Sequence, residues 1–415
     1  MSDPSGKGIG TELVSGADAL GFERDAMRVF IVAGEHSGDA LGGSLMASLD
    51  RLSPRPIRYF GIGDEHMRAH GLVSLFPIDE ITVMGPIAIL KRLPHLLRRI
   101  RETVDAAIAA EPDALIIIDA PEFTQRVARA VKRRRPDLPV INYVSPSVWA
   151  WRPGRAAKMR AYVDHVLALL PFEPEAHERL GGPHCSYVGH PLIEKLDWLR
   201  ALDTEPLAAR LPRSGKQPVL VVLPGSRHSE VSRMMQPFGA ALRRLQAGGI
   251  EPSVIIPAVD GVRVDIEARA RDWPVQPLIV RGQEDKYRAF KLADAALVTS
   301  GTVTLEVALA GTPMVVGYKV EGPAALLRPL LKTSSVVLAN LVLGRNAFPE
   351  LLQEDCTGEK FAAAIEPLLR ASEVRTAQLA ALAEITPRMI IENGPPSDAA
   401  ARIVLSYLPV TAVDT

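Results

Sequence analysis

The stretch ALVTSGTVTLEVALAGTPMVVGY, residues 296–318, decides the fold. It opens with an apolar run, ALVTSG (296–301), breaks at small residues, takes on helical character, and passes through Gly311 and Thr312 into a second apolar run, PMVVGY (313–318). Runs this short and this continuously apolar suit strands buried on both faces, as in a parallel sheet. Parallel neighbours need a crossover, which the helix supplies. One residue breaks the pattern: Glu306 lies among apolar neighbours, where a carboxylate is costly unless it is exposed, paired, or accepting hydrogen bonds from a ligand.

The same alternation extends outward from this stretch. PVLVVLPGS (218–226), PSVIIPAV (252–259) and PLIVRG (277–282) precede it. An earlier series holds MRVFIVAG (27–34), IRYFGIG (57–63), ALIIIDA (114–120), PVINYVS (139–145) and DHVLALLP (164–171), with helical stretches at 41–51, 90–111 and 122–135. A polar, Pro-containing segment around 200–217 separates the two series, and 415 residues are too many for one ordinary core. The expected class is therefore α/β, with two Rossmann-like doubly wound parallel-sheet domains and a ligand cleft between them, beyond the carboxyl ends of the strands. Residues 1–27 read as a loose tail, 28–192 as the N-terminal domain, 193–384 as the C-terminal domain, and 385–415 as a helical segment.

Apolar residues at 47% and charged residues at 23% are ordinary for a globular chain. Lys plus Arg equals Asp plus Glu at 48 each, so no overall charge bias announces a nucleic acid. Cys185 and Cys356 are the only cysteines, which argues against a disulfide framework or a thiolate zinc site and fits a reducing compartment. Residues 1–27 lack a signal-peptide run, and no window holds about 18 uninterrupted apolar residues, so the expectation is a cytosolic protein free to lie on a membrane surface.

VAGEHSGD (32–39), IDAPEF (118–123), LPGSRHSE (223–230) and TSGTVTLE (299–306) place small or polar residues where strands turn into helices. None fits a dinucleotide or ATP-cradling glycine pattern, so a phosphate or nucleotide-sugar ligand is the more natural reading. Gly225 and Ser226 can offer backbone N–H groups at a helix start, with Arg227 as a bidentate cation for phosphate oxygens; Gly301 and Thr302 form a second such nest. A turn that serves only its own helix is the competing reading. Glu306 would repel phosphate, but it suits the two donors of a vicinal diol such as ribose; an ion pair with Arg or Lys is the alternative. Asp119 ends LIIID, where a carboxylate can accept a proton from an attacking hydroxyl. Glu35 and Asp39 compete for that role, and His36 suits either a base or a phosphate neighbour.

In the loop NYVSPSVWAWRPGR (142–155), Trp149 and Arg152 can line an amphiphilic acceptor bearing a phosphate, although rigid packing explains the tryptophans nearly as well. Val83, Met84, Ile87, Ile89 and Leu90 form a dense apolar group followed by Lys91, Arg92, Arg98, Arg99 and Arg101. That combination suits an anionic membrane surface or a phosphorylated acyl lipid; a core segment with a solvated helix face is the bland alternative. VKRRRP (131–136) is a further basic cluster, too short by itself to define a lipid or RNA site.

VAGEHSGD, VMG, IDAPEF, YVSPSVWAWR, LLPFE, VGHP, LPGSR, SGTVTLE, PMVVGY and NLVLGRNAFPELLQ occur in this order over residues 28–355. With them the chain resembles the lipid-A-disaccharide synthase family, glycosyltransferases of GT-B architecture. The resemblance implies inverting transfer of 2,3-diacylglucosamine from UDP-2,3-diacylglucosamine to the 6-hydroxyl of 2,3-diacylglucosamine 1-phosphate, releasing UDP, with no cofactor and no metal. It implies Asp119 as general base, with help from Glu35 or His36 left open. Gly225, Ser226, Arg227, Gly301 and Thr302 would hold the diphosphate and Glu306 the ribose, while Asn340, Glu350 and Gln353 would close around nucleotide or sugar. The family also implies peripheral association with the inner face of the inner membrane through the patch around 83–90. Its last helix should return to an N-terminal domain, with exchange between subunits of a homodimer as one form. Where the family usually has Glu after MG and two residues, this chain has Ala88. A UDP-sugar 2-epimerase and a non-catalytic UDP- or lipid-binding protein are the alternatives.

Overall fold

The computed structural model describes residues 26–82, 86–211, 217–320, 333–392 and 394–409, without the side chains of 86–91. Two units emerge, one holding the described residues up to Pro191 and from Ile391 onward, the other spanning Leu192–Ile390. The first changeover lies one residue from the boundary read in the sequence. The second comes at Ile391 instead of 385. The helix Glu373–Met389 runs unbroken to that point and packs on the helices Leu338–Leu343 and Val303–Leu309 of the second unit.

The first unit is one sheet of β1 (Met27–Ala33), β2 (Ile57–Ile62), β3 (Val73–Ser74), β4 (Ala114–Ile118), β5 (Val140–Tyr143), β6 (His165–Ala168) and β7 (His184–Tyr187), in the order β3-β2-β1-β4-β5-β6-β7. The second unit has β8 (Val219–Leu223), β9 (Ser253–Pro257), β10 (Leu278–Val280), β11 (Ala295–Thr299), β12 (Met314–Tyr318) and β13 (Glu350–Leu352), ordered β10-β9-β8-β11-β12-β13. All these neighbours pair in parallel. Every residue of β4, β8 and β11 is buried, which accounts for their continuous apolar runs. Of the four short, partly covered edge strands, β3, β7 and β13 carry no such run and the sequence does not announce them, whereas β10 is apolar throughout.

The helix after β1 begins at His36, five residues before the expected 41. Its Gly42 and Gly43 lie so close to Met67 and His66 that a Cβ on either would collide. Both fall within the helical stretch 41–51 read from the sequence, and in the helix they serve as packing residues. Among the described residues no helix is long and apolar enough to cross a membrane.

The last helix, Pro396–Leu405, packs on His36–Leu52, so it returns to the first unit of its own chain. Ala400, Ala401 and Val404 are fully buried beneath it, and Arg51 pairs with the buried Asp398. Val404→Ala removes two buried methyl groups and should cost about 2 kcal/mol in urea unfolding. A loss within experimental error of zero would mean that this helix is not seated as described.

Candidate active site

In each unit the strand order reverses beside the first strand, between β1 and β4 and between β8 and β11. Loops leaving the carboxyl ends of such strand pairs diverge and leave room for a ligand. At the β1/β4 point, Gly34 donates its N–H to Ile118 O at 3.2 Å, and a Cβ on Gly34 would stand 2.2 Å from that of Ala120. Only glycine lets these two loops approach so closely. Asp119 and Ala120 then adopt left-handed backbone, with φ of 54° and 40°. Asp tolerates that region through its short polar side chain, and here Asp119 Oδ1 accepts from Ala120 N at 2.8 Å. Ala120 has no such compensation, and strain held by its surroundings is characteristic of functional turns. The half-buried carboxylate of Asp119 is thereby fixed at the strand end.

Its neighbours are engaged elsewhere. His36 Nε2 lies 3.0 Å from Asp79 Oδ1 and its Nδ1 3.3 Å from Asp64 Oδ2, so the ring is set between these two carboxylates. Glu35 is the N-cap of the helix His36–Leu52, but its side chain makes no capping bond. Asp39 is buried and accepts from the backbone N–H groups of Asp64, His66 and Met67 at 2.6, 3.0 and 3.2 Å. Although burial opposes its charge, these bonds hold its carboxyl below the ordinary range. Asp39 is therefore a fastener for the next helix rather than a base.

At the β8/β11 point a cavity of about 620 Å³ is lined by Gly225, Ser226, Arg227, Gly301, Thr302 and Glu306, which brings together six of the predicted nucleotide residues. Gly225 has φ +114°, and Glu230 occupies the space a side chain there would need. The Glu230 carboxylate accepts from Ser226 N at 3.0 Å and from Arg227 Nη1 at 2.9 Å. The nest therefore already holds an anion, supplied by its own helix. Glu306 is mostly buried and forms an ion pair with Lys286. The contact lacks hydrogen-bond alignment at Oε2, so the pair is primarily charge on charge. Burial, followed by the Glu306 charge, pushes the Tyr287 hydroxyl far above its ordinary range.

Asn340, Glu350 and Gln353 do not line this cavity. Asn340 Nδ2 donates to Phe348 O and Glu350 Oε1, both at 3.0 Å, and its Oδ1 accepts from Ala347 N and Phe348 N, both at 2.9 Å. Glu350 also accepts from Ser335 Oγ and Val336 N. Gln353 exchanges two bonds with Val320, at 2.7 and 2.9 Å. All three tie the chain after β12 to β13. Sequence reasoning missed Glu230 and Lys286. Glu230 carried a signal as the acidic residue three positions after the N-cap Arg227. Lys286 looks like any solvated helix lysine until folding sets it against Glu306.

Trp149 also takes a structural role. Its Nε1 donates to Glu173 Oε1 at 3.2 Å and its ring meets Phe172 edge-on at 5.2 Å. Arg152 is exposed, 3.5 Å from Glu122 and 5.5 Å above the Trp151 ring. Arg98 and Arg99 pair with Glu102, and Arg99 also with Glu80, while Arg92 is exposed. Val83, Met84, Ile87, Ala88, Ile89 and Leu90 lie outside the described side chains. Among the described residues no group of three or more His, Cys, Asp or Glu side chains comes together to hold a metal ion.

A family model described as lipid-A-disaccharide synthetase matches residues 29–389. A lipid-A-disaccharide synthase from Nitrobacter hamburgensis is 52% identical over 382 residues, covering 92% of this chain and 96% of that protein. The chain belongs to the lipid-A-disaccharide synthase family. The UDP-GlcNAc 2-epimerase of Neisseria meningitidis has a TM-score of 0.60 at 13% identity, covering 92% of this chain and 99% of its own. MurG of Acinetobacter baumannii has a TM-score of 0.54 at 14% identity, with 92% and 99% covered. These two likenesses establish the GT-B fold and nothing finer.

The family motifs YVSPSVWAWR and LLPFE meet at a buried cluster. Ser145 Oγ sits 2.9 Å from His177 Nε2, and burial holds that imidazole down at about 4. Burial pushes the Glu173 carboxyl up to about 7 from its ordinary 4.5. Between those values the native chain keeps a proton that the unfolded chain has lost, so the Glu173 contribution to stability falls as pH rises through this window. Relative to the parent, Glu173→Gln should gain on the order of 1–3 kcal/mol between pH 4.5 and 8 in urea unfolding. The opposing slope from the histidines is common to both proteins and cancels; parallel stability curves would contradict this placement of Glu173.

Proposed function

We propose that this chain is an inverting glycosyltransferase that moves 2,3-diacylglucosamine from its UDP donor to the 6-hydroxyl of 2,3-diacylglucosamine 1-phosphate. The observation that carries the residue assignments is the nest at β8/β11, where a carboxylate of the chain already occupies the place of an anion. In this reading the donor diphosphate takes that place against Ser226 N–H, Arg227 and the turn at Gly301 and Thr302. Glu306, anchored by Lys286, receives the ribose hydroxyls. A cavity of about 620 Å³ is of the size ligand pockets have.

The acceptor hydroxyl gives its proton to Asp119 as its oxygen bonds to the anomeric carbon. The bond from that carbon to the diphosphate breaks, and the electron pair leaves with UDP. Arg227 and the N–H groups of the nest stabilise the charge that gathers on the leaving diphosphate. A single displacement from the opposite face inverts the anomeric centre. Protein cations and backbone dipoles supply the positive field, and no metal is assigned a role. The acyl chains put the reaction at a membrane surface, the cytoplasmic face of the inner membrane, with the apolar sequence at 83–90 and exposed Arg92 as the contact.

Two substitutions separate the roles. Asp119→Asn suits the same left-handed backbone, and it should abolish disaccharide formation while leaving calorimetric UDP affinity within a few fold. Glu306→Gln should weaken UDP binding by about 1–3 kcal/mol. Full transfer by the Asp119→Asn variant, or unchanged UDP affinity in the Glu306→Gln variant, would remove the corresponding assignment.

A further inference from the structure

We propose that a basic groove on the first unit, between the helices Pro121–Arg134 and Gly154–Met159, is the subsite for the phosphate monoester of the acceptor sugar; this deepens the transfer reading and rests on it. Two adjoining depressions of about 400 and 530 Å³ share Arg129, Lys158 and Tyr162. One wall carries Arg126, Arg129 and Arg133, at spacings of three and four that put them on one helix face; the other carries Arg152, Arg155 and Lys158.

Among the described residues lining the groove, Glu122 is the only carboxylate, and it is taken by Arg155 and approached by Arg152. Lys132, the remaining cation, pairs with Asp164 at 2.7 Å. Arg129, Arg133 and Lys158 have no carboxylate partner among the described residues, and Arg126 reaches Glu122 only through its charge, behind Arg155 and Arg152; Arg129 lies 4.7 Å above the Tyr162 ring. A chain with equal numbers of acids and bases thus gathers unneutralised cations in one place. Like charges at these helical spacings repel, so the fold gains nothing from them without an anion.

The floor is built rather than incidental. Tyr162 and Gln125 are buried, and the Tyr162 hydroxyl donates to Gln125 Oε1 at 3.2 Å. The mouth is lined by Pro121 and Glu122, which directly follow the turn holding Asp119. Arg126 lies five residues beyond Pro121, about 7.5 Å along the axis at 1.5 Å per residue. A hexose whose 6-hydroxyl meets Asp119 can therefore direct a phosphate on its far side into the groove. Arg152, held at φ +54°, brings its guanidinium to the same rim.

The test is a cycle that crosses Arg126→Ala/Arg129→Ala with removal of the phosphate from the acceptor, read as kcat/KM. Removing the phosphate should lower kcat/KM about 10- to 100-fold for the parent and only about twofold for the variant. Lys158→Ala, on the opposite wall, should show a smaller loss of the same kind, and UDP affinity should not change in either variant. Equal phosphate dependence in parent and variant overturns the proposal. So does a variant with unchanged acceptor kinetics but weakened binding to phosphatidylglycerol vesicles, which would give the groove to membrane headgroups. If the parent forms no disaccharide, the transfer reading itself falls. The groove is then judged by calorimetry with glucosamine 1-phosphate: binding to the parent alone supports it, and equal binding or none overturns it.

Discussion

A parallel strand cannot turn back into its neighbour, so each one in this protein hands over to a helix at the same edge of its sheet. That constraint gathers helix N-termini and their unpaired N–H groups along one edge, and the reversal of strand order opens a gap there. The residues assigned to transfer sit at those two gaps. In the first unit the close approach of Gly34 to Ala120 fixes Asp119 in a strained turn. In the second, Gly225 leaves the space that Glu230 fills.

The protein partners these charged groups within its own chain. Glu230 sits in the anion nest, and Lys286 neutralises Glu306. Unpaired charges in a half-buried site are costly, so these internal pairs hold the site in shape. Under the proposed reading, binding would exchange one set of charged contacts for another, which favours selectivity for the right pattern of charges over raw affinity.

Much of this was legible in the sequence, for physical reasons. Strands buried on both faces must be continuously apolar, and ten of the thirteen described strands announce themselves, the apolar edge strand β10 and every strand beside the two gaps among them. The short edge strands β3, β7 and β13 need no such composition. Gly225, Ser226, Gly301 and Thr302 were recognisable because turns that present N–H groups require small residues, Arg227 as a cation beside such a turn, and Glu306 as a carboxylate among apolar neighbours. Asn340, Glu350 and Gln353 have the same chemistry as ligand-binding residues, and only tertiary contacts reveal that their polar atoms serve the backbone. Asp39 likewise spends its carboxylate on backbone N–H groups. Lys286 carries no local signal, because its partner lies twenty residues further along the chain.

The central claim is that these two gaps carry glycosyl transfer. The most direct measurement mixes purified protein with UDP-2,3-diacylglucosamine and 2,3-diacylglucosamine 1-phosphate, with and without chelator, and follows the products by mass spectrometry. Stoichiometric disaccharide 1-phosphate and UDP, undiminished by chelator, is the predicted result. Bound UDP with no disaccharide across several acyl lengths, or a 2-epimerised UDP-sugar instead, would contradict it.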